Sequence, residues 1–154
     1  MKLKKWQQTL LWIAGTVAIM YGMVYVDVVL RAKEAYQEGE KYWNWADHPD
    51  QRAQFLNDQL AADKAKLDQQ LTTGKLSKDD YDRQQELLQF DHEQQLKESS
   101  IKYAYVWYQT TVDLFSPPES KWVQLARQKM PLAKERWKAE LRARNIPFDD
   151  DMID

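Results

Sequence analysis

Two histidines are the residues of this chain best suited to metal chemistry, and their neighbours decide whether they can perform it. His92 stands between two acids in the sequence FDHEQQ, and helical metal ligands would lie three or four residues from it. Those positions hold side chains that bind metals poorly: Leu88, Gln89, Gln95 and Leu96. His48 lies in DHPD, which is too short for a calcium loop and has no central glycine. The spacing therefore predicts no metal site and a solvated helix face around His92.

The inventory of reactive residue types excludes several classes of enzyme and cofactor. The chain contains no cysteine and only four glycines, so thiol nucleophiles, thiolate metal sites, disulfides and attached haem are excluded. No nucleophile elbow, phosphate-binding loop or dinucleotide fingerprint occurs. We therefore expect a protein that is not an enzyme, binds no cofactor and takes no small-molecule substrate. Carboxylates that converge from separate helices, as in an enzyme or ligand carrier, are the alternative left open.

An apolar segment near the N-terminus predicts a membrane-spanning helix. From Thr9 to Val26, 18 consecutive residues carry no charge. As a helix, residues 9–30 would span about 33 Å, which matches the hydrocarbon core of a bilayer. A cleaved signal peptide has a shorter apolar region of about 7–15 residues and a small-residue cleavage site. No such site follows here, so we expect a retained anchor; a cleaved exported protein is the alternative.

Basic residues flank this segment unequally and predict its orientation. Lys2, Lys4 and Lys5 precede it, whereas Arg31 and Lys33 follow it. Because the more basic flank tends to stay in the cytoplasm, we expect a single-pass protein of the inner membrane, with its N-terminus cytoplasmic and the bulk of the chain periplasmic. Nucleic acid is not an expected partner of an exported chain with net charge −2.

Small residues recur at every fourth position within the apolar segment. Ala14, Ala18 and Gly22 would lie on one face of a helix. Close approach of backbones at small residues is a main source of attraction between helices in lipid. We therefore expect this face to pack against transmembrane subunits of a larger complex.

The chain beyond the apolar segment predicts further helices joined by short turns. Strong helix formers continue to about Trp45, and a His-Pro pair at 48–49 ends that helix and begins a second. A Thr-Thr-Gly sequence at 72–74 ends the second helix, and Ser77 is placed to cap a third. A link this short between two amphipathic helices predicts an antiparallel hairpin.

The C-terminal half predicts one more helix after the hairpin. The apolar period of Ile101–Phe115 favours a helix that continues the third without a break, although its β-branched and aromatic residues also suit a strand. The sequence SPPES ends this element, and Ser116 is placed to cap a last amphipathic helix from about Pro118 to Arg144. Pro131 lies inside that helix and should kink or split it.

These elements predict an all-α fold, in which one N-terminal transmembrane helix continues into an extramembrane hairpin or small bundle of about three further helices. The chain divides into a cytoplasmic basic tip and transmembrane anchor at 1–30, a juxtamembrane helix extension at 31–48, a helical hairpin with a C-terminal amphipathic helix at 49–145, and an acidic tail at 146–154. No internal repeat is evident in the sequence.

Aromatic residues are numerous outside the apolar segment. The chain has seven Trp and eight Tyr, and a two-helix hairpin buries only one stripe of each helix. Exposed aromatic surface usually marks an interface, although a four-helix core that absorbs all of these rings is the alternative. The candidates for contact with a partner are Tyr42, Trp43, Trp45, Tyr103, Trp107, Trp122 and Trp137.

Charge is divided unevenly between two parts of the chain. Residues 118–144 hold eight Lys or Arg against three acids, whereas residues 47–100 hold twelve acids against seven Lys or Arg. Two interpretations follow. Either the basic helix lies along the acidic hairpin, or it lies on anionic lipid headgroups or an acidic neighbour.

The combined features predict a non-catalytic accessory or structural subunit of a multi-subunit membrane complex. The anchor would pack on neighbouring spans, and the aromatic-rich helices on extramembrane subunits. A respiratory or photosynthetic electron-transfer assembly is one setting in which such small subunits occur. A homo-oligomeric, membrane-tethered coiled-coil scaffold is the alternative, although Asp63 and Lys64 interrupt the apolar stripe that it would need.

Overall fold

The computed structural model describes residues 5–149, which form an all-α fold. Lys2 and Lys4 of the predicted basic tip, and residues 150–154 of the acidic tail, lie outside the described residues. Five helices make up the described chain: α1 (Lys5–Asp47), α2 (Pro49–Thr72), α3 (Lys78–Lys97), α4 (Ser100–Leu114) and α5 (Lys121–Ala143). Among these residues there is no β-strand, so the predicted fold class is confirmed.

Helix α1 is a single uninterrupted rod of 43 residues, about 65 Å long at the helical rise. It contains a segment long and apolar enough to cross a membrane: an 18-residue window has a mean hydropathy of 1.9, and none of that window is buried inside the protein. The helix ends at Asp47 because Pro49 keeps His48 out of helical geometry (φ −130°, ψ 72°). The predicted continuation of the apolar segment into residues 31–47 is confirmed.

Four helices follow α1 in the described chain, rather than the three that the sequence predicts. The expected third helix is divided at Glu98, whose ψ of 147° is extended. The Ser99 hydroxyl then accepts a hydrogen bond from the Lys102 amide at 3.2 Å and caps α4. Neither glycine nor proline marks this break. The only local signal is the serine pair at 99–100, because serine favours helix N-termini over helix interiors.

Helices α1, α4 and α5 form the core of the protein beyond the apolar segment. Tyr42 stacks on Tyr103, and Tyr36 lies against Tyr108, so α4 runs antiparallel to α1 and returns towards the apolar segment. Helix α5 then runs back along both of them. Residues 31–47, predicted as an extension, therefore form one wall of this bundle. Its buried cluster consists of Tyr36, Ile101, Ala104, Tyr105, Tyr108, Ala126 and Ala133.

Helices α2 and α3 form the predicted antiparallel hairpin, which projects from the bundle. The Tyr81 hydroxyl donates to Asp68 across the hairpin at 2.6 Å. Ser77 caps α3 by accepting from the Asp80 amide, as predicted, and the turn contains Gly74 at a left-handed φ of +70°. None of residues 78–97 is buried, because α2 is the only helix within residues 5–149 that α3 packs against.

Helix α5 begins later than predicted and is continuous. Ser120, rather than Ser116, caps it by accepting from the Val123 amide at 3.3 Å. Pro131 lies inside the helix at an exposed position and does not split it. Within the described residues α5 packs along α1 and α4 and not along α2 or α3. The interpretation that the basic helix lies along the acidic hairpin is therefore wrong.

Candidate interaction surfaces

The small-residue face of α1 is exposed along its whole length in the isolated chain. Ala14, Ala18 and Gly22 are all exposed, and a Cβ added at Gly22 would meet no described atom within 4 Å. The three positions lie about one turn apart on a continuous helix. Packing of this face on another transmembrane helix stays a prediction.

Three of the candidate aromatics form a row of rings that joins α4, α1 and α2. Tyr42 stacks on Tyr103, with centroids 5.2 Å apart and an interplanar angle of 28°. On its other side Tyr42 meets Trp45 edge-on at 5.1 Å and 86°. Trp45 in turn lies 5.1 Å from Phe55 on α2. Aromatic pairs favour such offset and edge-on geometries, so the row helps to position the hairpin relative to the bundle.

Three further candidates are half-buried in the bundle: Trp43, Trp122 and Trp137. Trp122 lies 5.7 Å from the Tyr36 ring, and Trp137 lies 5.8 Å from the Tyr105 ring. The Arg136 guanidinium lies over the face of the Trp43 ring, with its Cζ atom 4.6 Å from the ring centroid, and makes a cation–π contact. These rings therefore contribute to packing among α1, α4 and α5.

Trp107, the remaining candidate, lines a groove of about 450 Å³ between α1 and α4, beside Glu34 and Phe115. It is half-buried, and of the seven candidates only Trp45 is classed as buried. The bundle thus uses six of the seven rings in contacts of its own, while most of them keep part of their surface exposed. Contact of these rings with a partner stays a prediction.

A polar cluster that the sequence did not reveal lies between α1, α4 and α5. The Lys129 ammonium lies 2.6 Å from both carboxylate oxygens of Glu40, and the Tyr108 hydroxyl donates to the same carboxylate at 2.5 Å. Burial by itself raises the pKa of Glu40, but the hydrogen bonds from Lys129 and Tyr108 and the charge of Lys129 together hold that pKa below its usual value. Glu40 is therefore a carboxylate at neutral pH that ties three helices together.

Nothing in the sequence pairs these groups beforehand. Lys129 stands 89 positions from Glu40, and each is an ordinary charged residue within a helix. One sequence pattern could have indicated these residues: a charged side chain that falls on the apolar face of its own helix. Glu40 meets that description, because it lies one turn from the buried Tyr36.

Burial and nearby carboxylates together raise the pKa of three tyrosines in the bundle. Burial first, and then the hydrogen bond to Glu40, raise the pKa of Tyr108. Burial first, and then the charge and hydrogen bond of Glu40, raise the pKa of Tyr36 to about 12. Near the start of α4, the hydrogen bond to Glu98 first, and then burial, raise the pKa of Tyr103 to about 12. These tyrosines are held in their neutral, hydrogen-donating form.

We expect the bundle to lose stability between about pH 10 and pH 12. A tyrosine in the unfolded chain ionises near pH 10, whereas Tyr36 and Tyr103 keep their protons to about pH 12 when folded. Since the folded-state pKa is the higher one, their stabilising contribution is complete below about pH 10 and is lost as the pH rises through the folded pKa. Thermal unfolding followed by near-ultraviolet circular dichroism across this range measures the loss. A variant with phenylalanine at both positions should show a shallower fall, and equal slopes would contradict the assignment.

A groove of about 470 Å³ lies where α1, α2 and the α3–α4 junction meet. Its charged lining residues are Lys41, Arg52 and Glu98. Each already has a partner within the chain. Arg52 donates to the Glu98 carbonyl, the Glu98 carboxylate accepts from the Tyr103 hydroxyl at 2.6 Å, and Lys41 pairs with Glu38. The rest of the lining includes the rings of Tyr42, Trp45, Phe55 and Tyr103 and the amide side chains of Gln59 and Gln95.

The part of the chain from residue 5 to residue 149 contains no group of three or more His, Cys, Asp or Glu side chains that could hold a metal ion. Compared with protein family models, curated proteins and solved structures, the chain shows no significant match to any of them. The fold therefore defines only a structural class of protein. This is an all-α protein whose N-terminal helix is long and apolar enough to span a bilayer and continues into a bundle that carries a projecting hairpin.

Proposed function

We propose that the protein is a non-catalytic accessory or structural subunit of a multi-subunit membrane complex. The observation that carries this proposal is the continuity of α1, which contains the apolar segment and also forms one wall of the bundle. A rod without a break holds the bundle at a fixed height above the bilayer. A fixed height is what a subunit needs if it contacts neighbours both inside and outside the membrane.

In this proposal α1 crosses the inner membrane once, with the N-terminus in the cytoplasm and the bundle in the periplasm. The basic residues before the apolar segment support this orientation. Ala14, Ala18 and Gly22 then face neighbouring transmembrane helices, where small residues permit close packing. A respiratory or photosynthetic electron-transfer complex is the proposed setting.

The α2–α3 hairpin is the part that we propose contacts an extramembrane subunit. Two large apolar side chains on α3, Leu87 and Phe90, are 55% and 57% exposed. They lie three positions apart and therefore on the same side of the helix. Leu88 is half-buried, and Leu87 and Leu88 both border a groove with Leu67 of α2. A projecting helix with uncovered apolar residues is suited to docking against a groove or another helix.

Photo-crosslinking in the native membrane tests the proposal. A photoreactive amino acid at Ala18 samples the membrane face, one at Phe90 samples the hairpin, and one at the exposed Gln128 of α5 is the control. We expect adducts with other proteins at the first two positions and few at the third. Adducts with a second copy of the chain alone would favour the coiled-coil scaffold, and a lone 18.4 kDa monomer after mild extraction would contradict the proposal.

Replacing both Leu87 and Phe90 with serine should weaken co-purification of the extramembrane partner without lowering the unfolding midpoint. Both side chains are more than half exposed, so they add little to the fold, whereas central interface residues typically contribute about 2 kcal/mol or more to binding. The expected loss is roughly thirtyfold in affinity, measured by quantitative pull-down. Serine at the exposed Gln85 and Gln94 of the same helix is the control. Equal losses for the two pairs would argue against a specific apolar contact.

A further inference from the structure

We propose that the turn between α4 and α5 makes a second contact with the bilayer, at the level of the lipid headgroups and beside the span in α1. This segment, residues 114–122, is called the membrane-proximal turn. Leu114 and Trp122 lie in the lipid interface, and Lys33 and Lys121 contact lipid phosphates. The inference rests on the proposed anchoring of α1 and adds the surface by which the bundle itself meets lipid.

The register between α1 and α4 places this turn at the end of the apolar segment. Tyr108 lies against Tyr36, with ring centroids 5.8 Å apart, and the two helices are antiparallel. Six residues further along α4, about 9 Å at the helical rise, Leu114 lies level with Leu30, where the predicted span ends. Residues 28–29 of α1 are half-buried although the apolar residues before them are exposed. The bundle therefore reaches down to the last turn of the span.

The membrane-proximal turn carries an apolar side chain that the bundle leaves uncovered. Leu114 is 71% exposed, more than any other large apolar side chain outside α1 that the structure describes. Phe115 beside it is half-buried and lines a groove with Arg31. Exposure of leucine to water is unfavourable, whereas at the lipid interface the same side chain is removed from water. Contact with lipid accounts for both the position and the exposure of Leu114.

Trp122 has the surroundings of an interfacial anchor. Two ammonium groups lie over its ring, Lys121 at 5.3 Å and Lys33 at 5.9 Å from the centroid. Tryptophan is enriched where a membrane meets water, and lysine side chains extend from that level to the headgroups. The pair of lysines therefore lies where lipid phosphates would accept hydrogen bonds from them.

Two acids close to these lysines, one of them within the turn, form ion pairs with arginine and not with the lysines. Asp27 pairs with Arg31 at 2.7 Å, and Glu119 pairs with Arg127 at 2.8 Å. Both carboxylates are thus engaged by arginine. The lysines beside Trp122 remain suited to phosphate.

A lipid contact at the turn would give the bundle two attachments to the bilayer: the span in α1 and the turn itself. The ion pairs Glu40–Lys129 and Asp47–Arg136 share one offset of 89 positions, so α5 runs parallel to α1. If α1 crosses the bilayer, α5 rises away from it, and only the first turn of α5 reaches lipid. The basic helix as a whole then cannot lie on the headgroups. Two contacts restrict rotation about the axis of α1 and so set the direction in which the hairpin points.

Fluorescent labels at single cysteines test the inference in the full-length chain, reconstituted in vesicles of phosphatidylcholine and phosphatidylglycerol. The chain has no cysteine, so each variant carries one label. Leu114→Cys reports on the turn, and Val17→Cys reports on the span. The control is Leu132→Cys, which is 57% exposed on α5 and lies about 20 Å farther from the bilayer. Quenching is measured for each label with three quenchers: a lipid with a nitroxide near the headgroup, a lipid with a nitroxide deep in the acyl chain, and aqueous iodide.

We expect the deep nitroxide lipid to quench the label at position 17, the shallow nitroxide lipid to quench the label at position 114, and iodide alone to quench the label at position 132. Replacing Lys33 and Lys121 with glutamine should shift position 114 from lipid quenching towards iodide quenching. If position 17 is quenched by lipid and position 114 only by iodide, the inference fails while the anchor stands. If no position is quenched by lipid, both fail.

Two other results would also overturn the inference. Protection of position 114 from both quenchers would mean that a second copy of the chain covers the turn. Equal lipid quenching at positions 114 and 132 would mean that the whole bundle lies on the membrane surface, which the parallel course of α1 and α5 does not allow.

Discussion

Replacing Gly39 with alanine is expected to lower the free energy of unfolding of the bundle by about 2 kcal/mol. A Cβ at this position would lie 2.6 Å from Cε1 and 2.8 Å from Cδ1 of Tyr108, closer than carbon atoms approach. The ring cannot move aside, because Tyr108 is completely buried and its hydroxyl is held by Glu40. The strain of overpacking, about 3 kcal/mol, exceeds the gain of about 1 kcal/mol that alanine brings to a helix.

Thermal unfolding of the full chain in detergent, followed by near-ultraviolet circular dichroism, measures this effect. Gly22→Ala is the matched control on the same helix, because a Cβ there meets no described atom within 4 Å. We expect a lower midpoint for Gly39→Ala and an unchanged or slightly higher one for Gly22→Ala, where alanine favours the helix and meets no overpacking. A Gly39→Ala variant as stable as the parent would show that α1 and α4 do not need this close approach.

Replacing Arg52 with methionine is expected to loosen the hairpin from the bundle and to cost about 3 kcal/mol of stability. The buried guanidinium donates to the carbonyl oxygens of Glu98 at 2.5 Å and Gln95 at 2.6 Å, and to the Ser100 hydroxyl at 2.9 Å. The two carbonyls belong to the end of α3, where helical partners are lacking. Methionine keeps an unbranched apolar stem but supplies no donor, so these acceptors lose their partner inside the protein.

Hydrogen exchange locates the effect of Arg52→Met. We expect faster exchange for amides of α3 and of the first turn of α4, with little change in α1 and α5 away from the junction. Arg83→Met is the control within the hairpin, because Arg83 is 72% exposed and its contact with Asp80 is long, at 3.8 Å. Such surface pairs contribute about 0–1 kcal/mol. Equal destabilisation by the two substitutions would contradict the role assigned to Arg52.

Both substitutions, Gly39→Ala and Arg52→Met, affect how the α2–α3 hairpin is positioned relative to the bundle. Gly39 sets the approach of α4 to α1, and Arg52 fixes the junction from which α3 extends. Under the proposed function, Arg52→Met should weaken the contact of the hairpin with an extramembrane partner even though it leaves Leu87 and Phe90 unchanged. The same variant should leave crosslinking from Ala18 in the membrane unaffected.

Features that depend on local signals could be predicted from the sequence. The apolar segment can be recognised from the sequence because its length as a helix matches the thickness of the hydrocarbon core of a bilayer. The end of α1 follows from Pro49, which restricts the residue before it, and the start of α3 follows from Ser77, whose hydroxyl accepts from an amide three residues on. Each of these signals acts within a few residues, so no knowledge of the packing is needed to interpret it.

Features that depend on contacts between residues far apart in the chain are apparent only in the folded protein. The break at Glu98 is held partly by Arg52, 46 positions away, while the local periodicity favours one long helix. Lys129 meets Glu40 across 89 positions, and the side of the bundle on which α5 lies follows from that contact and not from the net charge of the hairpin. Helical periodicity states which face of a helix is apolar. Which other helix covers that face is decided by the fit of side chains such as Tyr108 against Gly39, and this fit exists only once the chain has folded.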